Sequence, residues 1–290
     1  MPTIFVTGAS GNVGLETLKS LLSQPNQADL KVIAGVRDIA KAESNVLENI
    51  EKRNFDFETP TTFGSALQGI DGLFLLRPPQ LSAVKKYFQP LIEFIKSSTS
   101  IKHVVFLSVQ GAEKSRFIPH YKIEKLLIKY QIPYTFLRPG YFMQNFTTTL
   151  KADIKNRKIV LPAGNAKFNL TDVADIAKVA AKVLIQPEKF LNQAYEITGS
   201  QNYTFTEMAA ILSEKTGKNI LYEAVSPIDF FFIKRKEGMK TAFILVMIVL
   251  HYLPRFQAEP QISQWIEKIT GDKPTNFEDF ALKLRDIIDQ

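Results

Sequence analysis

The chain of 290 residues contains no cysteine, three histidines and one tryptophan. Without cysteine it can form no disulfide, no thiolate nucleophile and no zinc–thiolate centre. No two of the histidines (His103, His120 and His251) have the spacing of a paired metal-ligand motif, so we predict no metal site. We expect His103 and His251 to be structural.

Long apolar runs and blocks of one charge are also missing. The longest apolar run, residues 242–250, is too short to cross a bilayer, and we expect a buried helix or part of a pocket wall. The net charge of +7 comes from lysines scattered among acids, which argues against a nucleic-acid partner. An apolar strand at the start leaves no room for a signal peptide. We therefore expect a cytoplasmic protein with no nucleic-acid partner and no membrane partner.

A glycine-rich turn directly follows the first strand-like segment. Residues 3–6 are all β-branched or aromatic, three glycines follow at intervals of three, and residues 15–22 have the pattern of a helix. In such a strand–turn–helix, backbone N–H groups and the helix N-terminus bind a pyrophosphate, because only glycine lets the backbone come so close. The predicted dinucleotide-binding turn consists of Gly8, Ala9, Ser10, Gly11, Asn12, Val13 and Gly14.

The spacing Gly-x-x-Gly-x-x-Gly favours a site of the short-chain dehydrogenase/reductase type. A P-loop would need Lys and then Ser or Thr after the last glycine, where Leu15 and Glu16 stand. A nucleophile elbow would need Gly-x-Ser-x-Gly, but Ser10 is followed directly by Gly11. A glycine turn without a ligand stays open as the alternative.

The tip of the second predicted strand, residues 30–36, indicates which dinucleotide binds. An acidic residue at this position binds the ribose hydroxyls of NAD, whereas Arg accommodates the 2′-phosphate of NADP. Arg37 comes first after the strand and Lys41 lies one helical turn beyond, so the pair predicts NADPH in preference to NADH. Two alternatives stay open: Asp38 could face the ribose, and Arg37 could be a solvated charge at a strand end.

Strands and helices alternate along the first half of the chain, which predicts a parallel sheet. Further strands are expected at 54–57, 72–76, 103–108 and 134–140, with helices at 61–68, 81–97 and 121–130. Ligands of an open parallel sheet lie beyond the carboxyl ends of its strands. Besides the glycine turn, the residues at these ends are Arg37, Asp56, Phe57, Leu76, Arg77, Pro78, Ser108, Gly140, Tyr141 and Phe142.

Motifs in the same order along nearly the whole chain resemble one known family. They include Thr-Gly-Ala-Ser-Gly-Asn-Val-Gly at 7–14, Leu-Arg-Pro-Pro at 76–79, and the segments 133–145 and 171–177. The chain resembles the NmrA-like members of the atypical short-chain dehydrogenases/reductases, especially the bacterial NADPH-dependent quinone oxidoreductases.

The resemblance implies an α/β protein with a Rossmann-type, doubly wound parallel sheet and a smaller, mostly C-terminal substrate lobe. The NAD(P)-binding domain is expected at residues 1–150, with its sheet completed by about 166–200. The substrate-binding lobe is expected at 201–290, together with about 151–165.

The resemblance also implies how NADPH would be bound. The glycine turn would hold the pyrophosphate, Arg37 and Lys41 would contact the 2′-phosphate, and Asp56 and Phe57 would lie near the adenine. The ribose and pyrophosphate would be flanked by Leu76, Arg77 and Pro78, with Ser108 at the neighbouring strand end. The residues expected near the nicotinamide are His120, Gly140, Tyr141 and Phe142, with Asn145 behind it.

Three residues are candidates for a catalytic role. Many dehydrogenases use Tyr-x-x-x-Lys, in which the lysine lowers the tyrosine pKa, and Tyr121 and Lys125 have that spacing. In related members, however, that lysine stands four residues before a glutamate that here is Glu124. His120 then takes the lysine position and Arg116 the tyrosine position. We therefore favour His120, as a hydrogen-bond partner of ribose or substrate or as a proton donor near neutral pH, or as a helix-start residue satisfied by backbone.

The lack of a clear proton donor at the predicted site limits which acceptors the protein could reduce. A ketone reduced to an alkoxide needs a positioned proton donor, whereas a hydroquinone anion can take its proton from water. We predict an NADPH-dependent reductase of a quinone or similar flat acceptor, acting by direct hydride transfer without flavin or metal, as a monomer or homodimer. Tyr141, Phe142 and Phe146 are expected to form aromatic walls, with residues 230–232 as further candidates. The alternative is a non-catalytic NAD(P) redox sensor that regulates a protein partner.

Overall fold

The structure is a computed structural model that describes residues 2–24, 30–42, 45–98 and 100–288. The strands are β1 (Thr3–Val6), β2 (Lys31–Val36), β3 (Glu51–Asn54), β4 (Gly72–Leu75), β5 (His103–Leu107), β6 (Tyr134–Pro139), β7 (Tyr141–Phe142), β8 (Lys158–Leu161), β9 (Lys167–Thr171), β10 (Gln193–Ile197), β11 (Asn202–Thr204) and β12 (Leu221–Ala224). The helices are α1 (Asn12–Leu22), α2 (Asn45–Glu48), α3 (Phe63–Leu67), α4 (Val84–Tyr87), α5 (Gln89–Ser98), α6 (Pro119–Lys129), α7 (Lys151–Lys155), α8 (Val173–Ile185), α9 (Phe205–Thr216), α10 (Pro227–Lys236), α11 (Thr241–Tyr252), α12 (Trp265–Thr270) and α13 (Phe277–Ile288).

The chain forms two compact units. Unit 1 comprises Met1–Pro139, Val173–Ile197 and Trp265–Asp272. Unit 2 comprises Gly140–Asp172, Thr198–Gln264 and Lys273–Gln290. Each unit thus draws on segments that are far apart in sequence. The domain boundaries expected near 150 and 200 stay predictions, because a compact unit need not be an independent domain.

A parallel sheet forms the centre of unit 1. The order of its strands is β10-β6-β5-β4-β1-β2-β3, and every pairing is parallel. The chain therefore winds outward from β1 through β2 to β3, and then restarts on the other side of β1 with β4. In open α/β sheets, ligands bind at such a switch point, beyond the carboxyl ends of the strands. The order confirms the predicted Rossmann-type, doubly wound sheet.

The third strand of unit 1 lies earlier than predicted. It covers Glu51–Asn54 rather than 54–57, and its register on β2 pairs Val36 with Asn54. Phe55 and Phe57 follow the strand end, and both are buried in the core of unit 1. The apolar pattern at 54–57 therefore marks core rings in a loop, while the strand itself is polar because it lies at the sheet edge with one neighbour.

The helix predicted at 81–97 is also interrupted. It forms α4 and α5, separated by the fully buried Phe88. Pro90 is the second residue of α5, a position where proline is tolerated because the first amides of a helix have no intrahelical acceptor. Proline thus marks the start of a new helix here.

Unit 2 contains a three-stranded sheet, β11-β9-β7, and a parallel pair, β12-β8. After Gly140 the chain enters β7, which pairs in parallel with β9. A Cβ atom on Gly140 would lie 2.6 Å from the carbonyl oxygen of Asn169. Glycine is therefore required where the chain passes β9.

Helix α11 contains the longest apolar run, which we expected to be a buried helix or part of a pocket wall, and it is only partly buried. Its buried side chains are Ile244, Met247 and His251. Leu245 and Val249 are each more than half exposed. Over the described part of the chain, no helix has both the length and the apolar character required to span a bilayer.

Candidate cofactor-binding site

The glycine turn after β1 is as tightly packed as a dinucleotide site requires. Gly8 adopts a left-handed backbone with φ of 59°, and the amide of Gly11 donates to the carbonyl oxygen of Gly8 over 2.9 Å. A Cβ atom on Gly14 would lie 2.3 Å from that oxygen and 2.8 Å from the Cα atom of Ala9. Helix α1 therefore approaches the turn this closely only because residue 14 is glycine.

The N-terminus of α1 is open to an anion. The N-cap residue, Gly11, offers no side chain to the first turn, and that turn contains no acidic residue. The first amides of a helix have no intrahelical acceptor and carry partial positive charge. Ser10, Gly11 and Asn12 are exposed beside them. These features fit a pyrophosphate at the turn that the sequence predicts.

Thr7 links the ends of β1 and β4, a role not predicted from the sequence. Its buried hydroxyl donates to the carbonyl oxygen of Phe74 over 3.1 Å and accepts from the amide of Leu76 over 2.8 Å. This pair of bonds holds Leu76 beside the glycine turn, where its Cβ lies 3.5 Å from the position that a Cβ on Gly8 would occupy. The sequence feature that could have indicated this role is a hydroxyl residue at the end of an apolar strand.

Arg37 lies exposed at the tip of β2. Within the described ranges, no residue forms a hydrogen bond or ion pair with its guanidinium, and Asn54 Nδ2 holds its carbonyl oxygen over 2.6 Å. Lys41, by contrast, lies 3.2 Å from Asp38, which also accepts from the amide of Ala40. Arg37 is therefore available to a phosphate. Lys41 would have to contact a phosphate while it is still paired with Asp38, or give up that ion pair.

Asp56 and Phe57, the residues predicted near the adenine, have different surroundings. The Asp56 carboxylate accepts from the amide of Glu58 over 3.0 Å and so holds its own turn. The Phe57 ring is buried, with its centroid 5.0 Å from that of Phe55 and 4.9 Å from that of Phe88. It cannot stack on an adenine without leaving the core. Phe57 can therefore offer a ligand only its main chain.

The Arg77 side chain turns back on its own loop. Its Nη1 atom donates to the carbonyl oxygens of Pro78, Pro79 and Leu81 over 3.0–3.3 Å. Its Nε atom donates to Nε2 of His120 over 3.2 Å. Burial lowers the pKa of Arg77, but a guanidinium keeps its charge in proteins. Arg77 thus ties the loop after β4 to the start of α6.

His120 is a neutral imidazole in this arrangement. Because Nε2 accepts from Arg77, the ring proton lies on Nδ1. Burial, reinforced by the positive charge of Arg77, lowers the pKa of His120 to about 3. The ring is therefore not protonated at neutral pH, so this arrangement gives no support to the expected proton donor, which stays a prediction. Hydrogen bonding to ribose or substrate stays a prediction and would use Nδ1.

Tyr121 and Lys125 are neighbours on α6 but are not arranged as a catalytic pair. The Lys125 ammonium lies over the tyrosine ring, 5.4 Å from its centroid. Such i, i+4 contacts are common on helix surfaces. The contact is with the face of the ring and not with the hydroxyl that a catalytic lysine would influence. A catalytic role for either residue therefore stays a prediction without support from this geometry.

Ser108 belongs to a buried polar network within unit 1. Its hydroxyl donates to Oε1 of Glu124 over 2.6 Å, and Arg138 donates to both oxygens of the same carboxylate over 3.0 and 2.7 Å. Ser108 is 2% exposed and Glu124 3% exposed. The hydroxyl is therefore committed inside the protein, and the predicted place of Ser108 at the cofactor stays a prediction that concerns its main chain.

In unit 2, Tyr141 is a core residue whose hydroxyl lies 3.1 Å from Nε2 of His251. Nδ1 of His251 lies 2.7 Å from the carbonyl oxygen of Met247. Since a carbonyl only accepts, Nδ1 carries the proton and the Tyr141 hydroxyl donates to Nε2. Burial raises the pKa of Tyr141 and lowers that of His251 to about 4. The hydroxyl is therefore not available to a nicotinamide, and only the main chain of Tyr141 could be.

The other predicted residues of unit 2 divide between core and surface. Phe146 and Phe230 are buried in the core and cannot form pocket walls. Phe142 and Asn145 are partly exposed, so their predicted places near the nicotinamide stay predictions. Phe232 is 67% exposed.

Unit 2 also contains a cavity of 460 Å³ that none of the predicted site residues lines. Its walls are formed by Asn165, Ala166, Lys167, Pro254, Arg255, Gln257, Ala258 and Glu259. Lys167 pairs with Glu259 over 3.2 Å, so part of its charge is balanced. Across the described ranges, no three His, Asp or Glu side chains come together as metal ligands.

Known proteins similar to this chain cover almost all of it. One is prestalk A differentiation protein A of Dictyostelium discoideum, 31% identical over 281 residues, which are 96% of this chain and 91% of the relative. Another is an NAD(P)H azoreductase of Xenophilus azovorans, 29% identical over 285 residues and covering 96% of each chain.

A solved structure shares the fold and keeps detectable sequence identity. It is an NADPH-dependent quinone oxidoreductase of Escherichia coli in complex with NADPH, with a TM-score of 0.85 and 25% identity, covering 97% of this chain and 99% of that one. Residues 1–281 also match the sequence model of the NmrA-like family. The chain therefore belongs to the NmrA-like family.

Proposed function

We propose that this protein is an NADPH-dependent oxidoreductase that reduces a quinone or similar flat acceptor by direct hydride transfer. The observation that carries the proposal is the glycine turn, where a Cβ on Gly14 would overlap the Gly8 carbonyl oxygen at 2.3 Å. The similarity to an NAD(P)H azoreductase and to an NADPH-dependent quinone oxidoreductase supports an NAD(P)H-dependent oxidoreductase. The preference for NADPH rests on Arg37, and the choice of acceptor on the chemistry below.

The residues of unit 1 fit a phosphorylated dinucleotide. The exposed turn and the open N-terminus of α1 suit a pyrophosphate, and the exposed guanidinium of Arg37 suits a 2′-phosphate. When bound, NADPH supplies the hydride. The protein would then contribute binding, orientation and exclusion of water.

The lack of a positioned proton donor favours a quinone over an isolated ketone as the acceptor. Reduction of a quinone adds a hydride and one proton. The hydroquinone anion formed first is a phenolate, which is more stable than the alkoxide from a ketone, so it can take that proton from water without a positioned acid. His120 is neutral and can donate a hydrogen bond from Nδ1 to the oxygen on which charge develops, without giving up its proton. Arg77 would act as a positioning residue, because it holds Nε2 and so fixes the orientation of the ring.

The test is the loss of nicotinamide absorbance when the purified protein meets NADPH and a panel of quinones, with NADH in parallel. We expect turnover that depends on the quinone and is faster with NADPH. Equal rates with both cofactors would overturn the cofactor preference but not the reductase. No turnover with any acceptor, despite NADPH binding confirmed by fluorescence, would overturn the reductase.

The second candidate is an NAD(P) sensor that regulates a protein partner. It is favoured by one observation: none of His120, Tyr121 and Lys125 is arranged to donate a proton to a substrate. Binding of NADPH without turnover, together with a partner whose affinity differs between the free and the NADPH-bound protein, would support it.

A further inference from the structure

One side of helix α11 is an apolar surface that faces solvent. It is formed by Leu245, Val246, Val249 and Leu250, which we call the α11 face, and these side chains are 51%, 53%, 53% and 46% exposed. The opposite side of the helix packs into unit 2. The helix is thus apolar towards the core and towards solvent alike.

A helix of this composition is normally enclosed by protein or by lipid. Helix α11 has 12 residues and contains no Asp, Glu, Lys or Arg. It rises about 18 Å, well short of the ~30 Å hydrocarbon core of a bilayer. Such a helix cannot cross a membrane, but it can lie in the plane of the lipid interface with one side inserted.

The segments next to α11 also expose apolar side chains. Leu253 and Phe256, in the turn that follows, are 47% and 71% exposed. Helix α10 packs against α11 and exposes Ile228 and Phe232, which are four residues apart and therefore on one side of that helix. Exposed apolar residues are thus concentrated within residues 228–256, on two packed helices and the turn that follows them.

Cations border this surface. Lys236 and Lys240 are exposed before the first turn of α11, and Arg255 is exposed after its last. Residues 226–256 contain five Lys or Arg and two Asp or Glu, a net charge of +3 from 5 − 2. Among the five cations, Lys234 is buried and pairs with Asp153 over 2.6 Å and with Glu237 over 3.0 Å, so the exposed cations of this segment are Arg235, Lys236, Lys240 and Arg255. An apolar helix with basic borders is the pattern that anionic lipid surfaces attract.

We propose that the α11 face docks on the surface of an anionic phospholipid bilayer, with Lys236 and Lys240 at the phosphate groups. This inference goes beyond the proposed reductase and does not depend on it. The expectation of no membrane partner rested on a run too short to span a bilayer, and that limit does not apply to a helix lying in the interface. A second copy fits less well, because a twofold contact would bring the same basic borders together.

The test is flotation of the full chain with vesicles of equal parts phosphatidylcholine and phosphatidylglycerol, compared with phosphatidylcholine alone. Leu245→Glu places a charge in the α11 face. Leu282→Glu is the matched control, since Leu282 is also 51% exposed but lies on α13. We expect the wild type and Leu282→Glu to float with the anionic vesicles, and Leu245→Glu to bind them at least about tenfold more weakly.

The charge component is tested separately. The double variant Lys236→Glu/Lys240→Glu should weaken binding to anionic vesicles, and the difference from wild type should shrink as salt is added. Failure of the wild type to float, or equal binding by the two leucine variants, would overturn the proposal. So would a dimer in sedimentation velocity without lipid that Leu245→Glu dissociates, because a second copy would then cover the α11 face.

Discussion

The Nε atom of Arg77 donates a hydrogen bond to Nε2 of His120 over 3.2 Å, and the two residues are 43 positions apart in the chain. The contact decides which ring nitrogen carries the proton. It leaves Nδ1–H as the donor that His120 can present to a ligand. Burial, the larger cause, and the charge of Arg77 together keep His120 unprotonated at neutral pH.

Replacing Arg77 with Met should raise the pKa of His120, because the substitution removes a neighbouring positive charge. Burial, the larger cause, stays, so the pKa should remain below its ordinary value of 6.5. NMR titration of the histidine ring signals measures the change. His103, buried in the same unit with Nε2 on the Thr135 hydroxyl, is the reference. An unchanged pKa of His120 would show that the Arg77 charge has no part in it.

The difference between the pKa of His120 in the folded and in the unfolded state makes the free energy of unfolding depend on pH. His120 takes up its proton near 6.5 when unfolded and near 3 when folded. Between these values the unfolded state binds more protons, so stability should fall as the pH drops below about 6.5. In Arg77→Met the two pKa values lie closer together, and denaturant unfolding should show a weaker loss over the same range. A steeper loss would contradict the assignment.

Substituting Gly14 with Ala should weaken NADPH binding about tenfold to a hundredfold, because the new methyl group pushes α1 away from the turn. Gly64→Ala is the matched control, since a Cβ there meets nothing within 4 Å. Fluorescence titration measures the affinities, and circular dichroism confirms that both variants are folded. Equal affinities for the two variants would rule out the turn as the pyrophosphate site.

Arg37→Ala should weaken binding of NADPH by about 1.5–3 kcal/mol and that of NADH much less, because a charge-assisted contact to the 2′-phosphate is lost. Lys19→Ala, an exposed charge near the C-terminal end of α1, is the control for net charge. Parallel titrations with both cofactors give the comparison. Equal losses for the two cofactors would contradict the 2′-phosphate assignment.

Tyr141→Phe should destabilise the protein by about 1–3 kcal/mol, because Nε2 of His251 would be buried without its donor. The free energy of unfolding in denaturant measures the cost. Tyr252→Phe, on the same helix as His251 and only partly buried, is the control with little expected effect. Unchanged stability combined with a loss of NADPH affinity would instead support a role of Tyr141 beside the nicotinamide.

Local signals predicted the sheet and the glycine turn. The strands β1, β2, β4, β5 and β6 lie within a residue or so of their expected positions, because buried parallel strands are continuous apolar runs. The turn at Gly8, Gly11 and Gly14 follows from spacing, since the tightest contacts, those that require glycine at positions 11 and 14, are with Gly8 and Ala9. Both features depend on neighbours in sequence.

The roles of single polar side chains depend on distant partners and could not be predicted. Ser108 is buried because Glu124 and Arg138 come together beneath it, and the state of His120 is set by Arg77. Strand β3 was misplaced because an edge strand needs no apolar pattern, whereas Phe55 and Phe57 have one without being in a strand. Hydropathy identified α11 as apolar but cannot show what covers it.

The partner of strand β6 arrives late in the chain. Strand β6 ends at Pro139 and its neighbour β10 begins at Gln193, 54 residues later (193 − 139). During synthesis, one edge of the nascent sheet therefore stays unpaired while the intervening segment emerges, and an unpaired edge is a template for aggregation. A fragment truncated after β6 would keep that edge permanently, so an N-terminal fragment needs to extend at least through Ile197 to remain monodisperse.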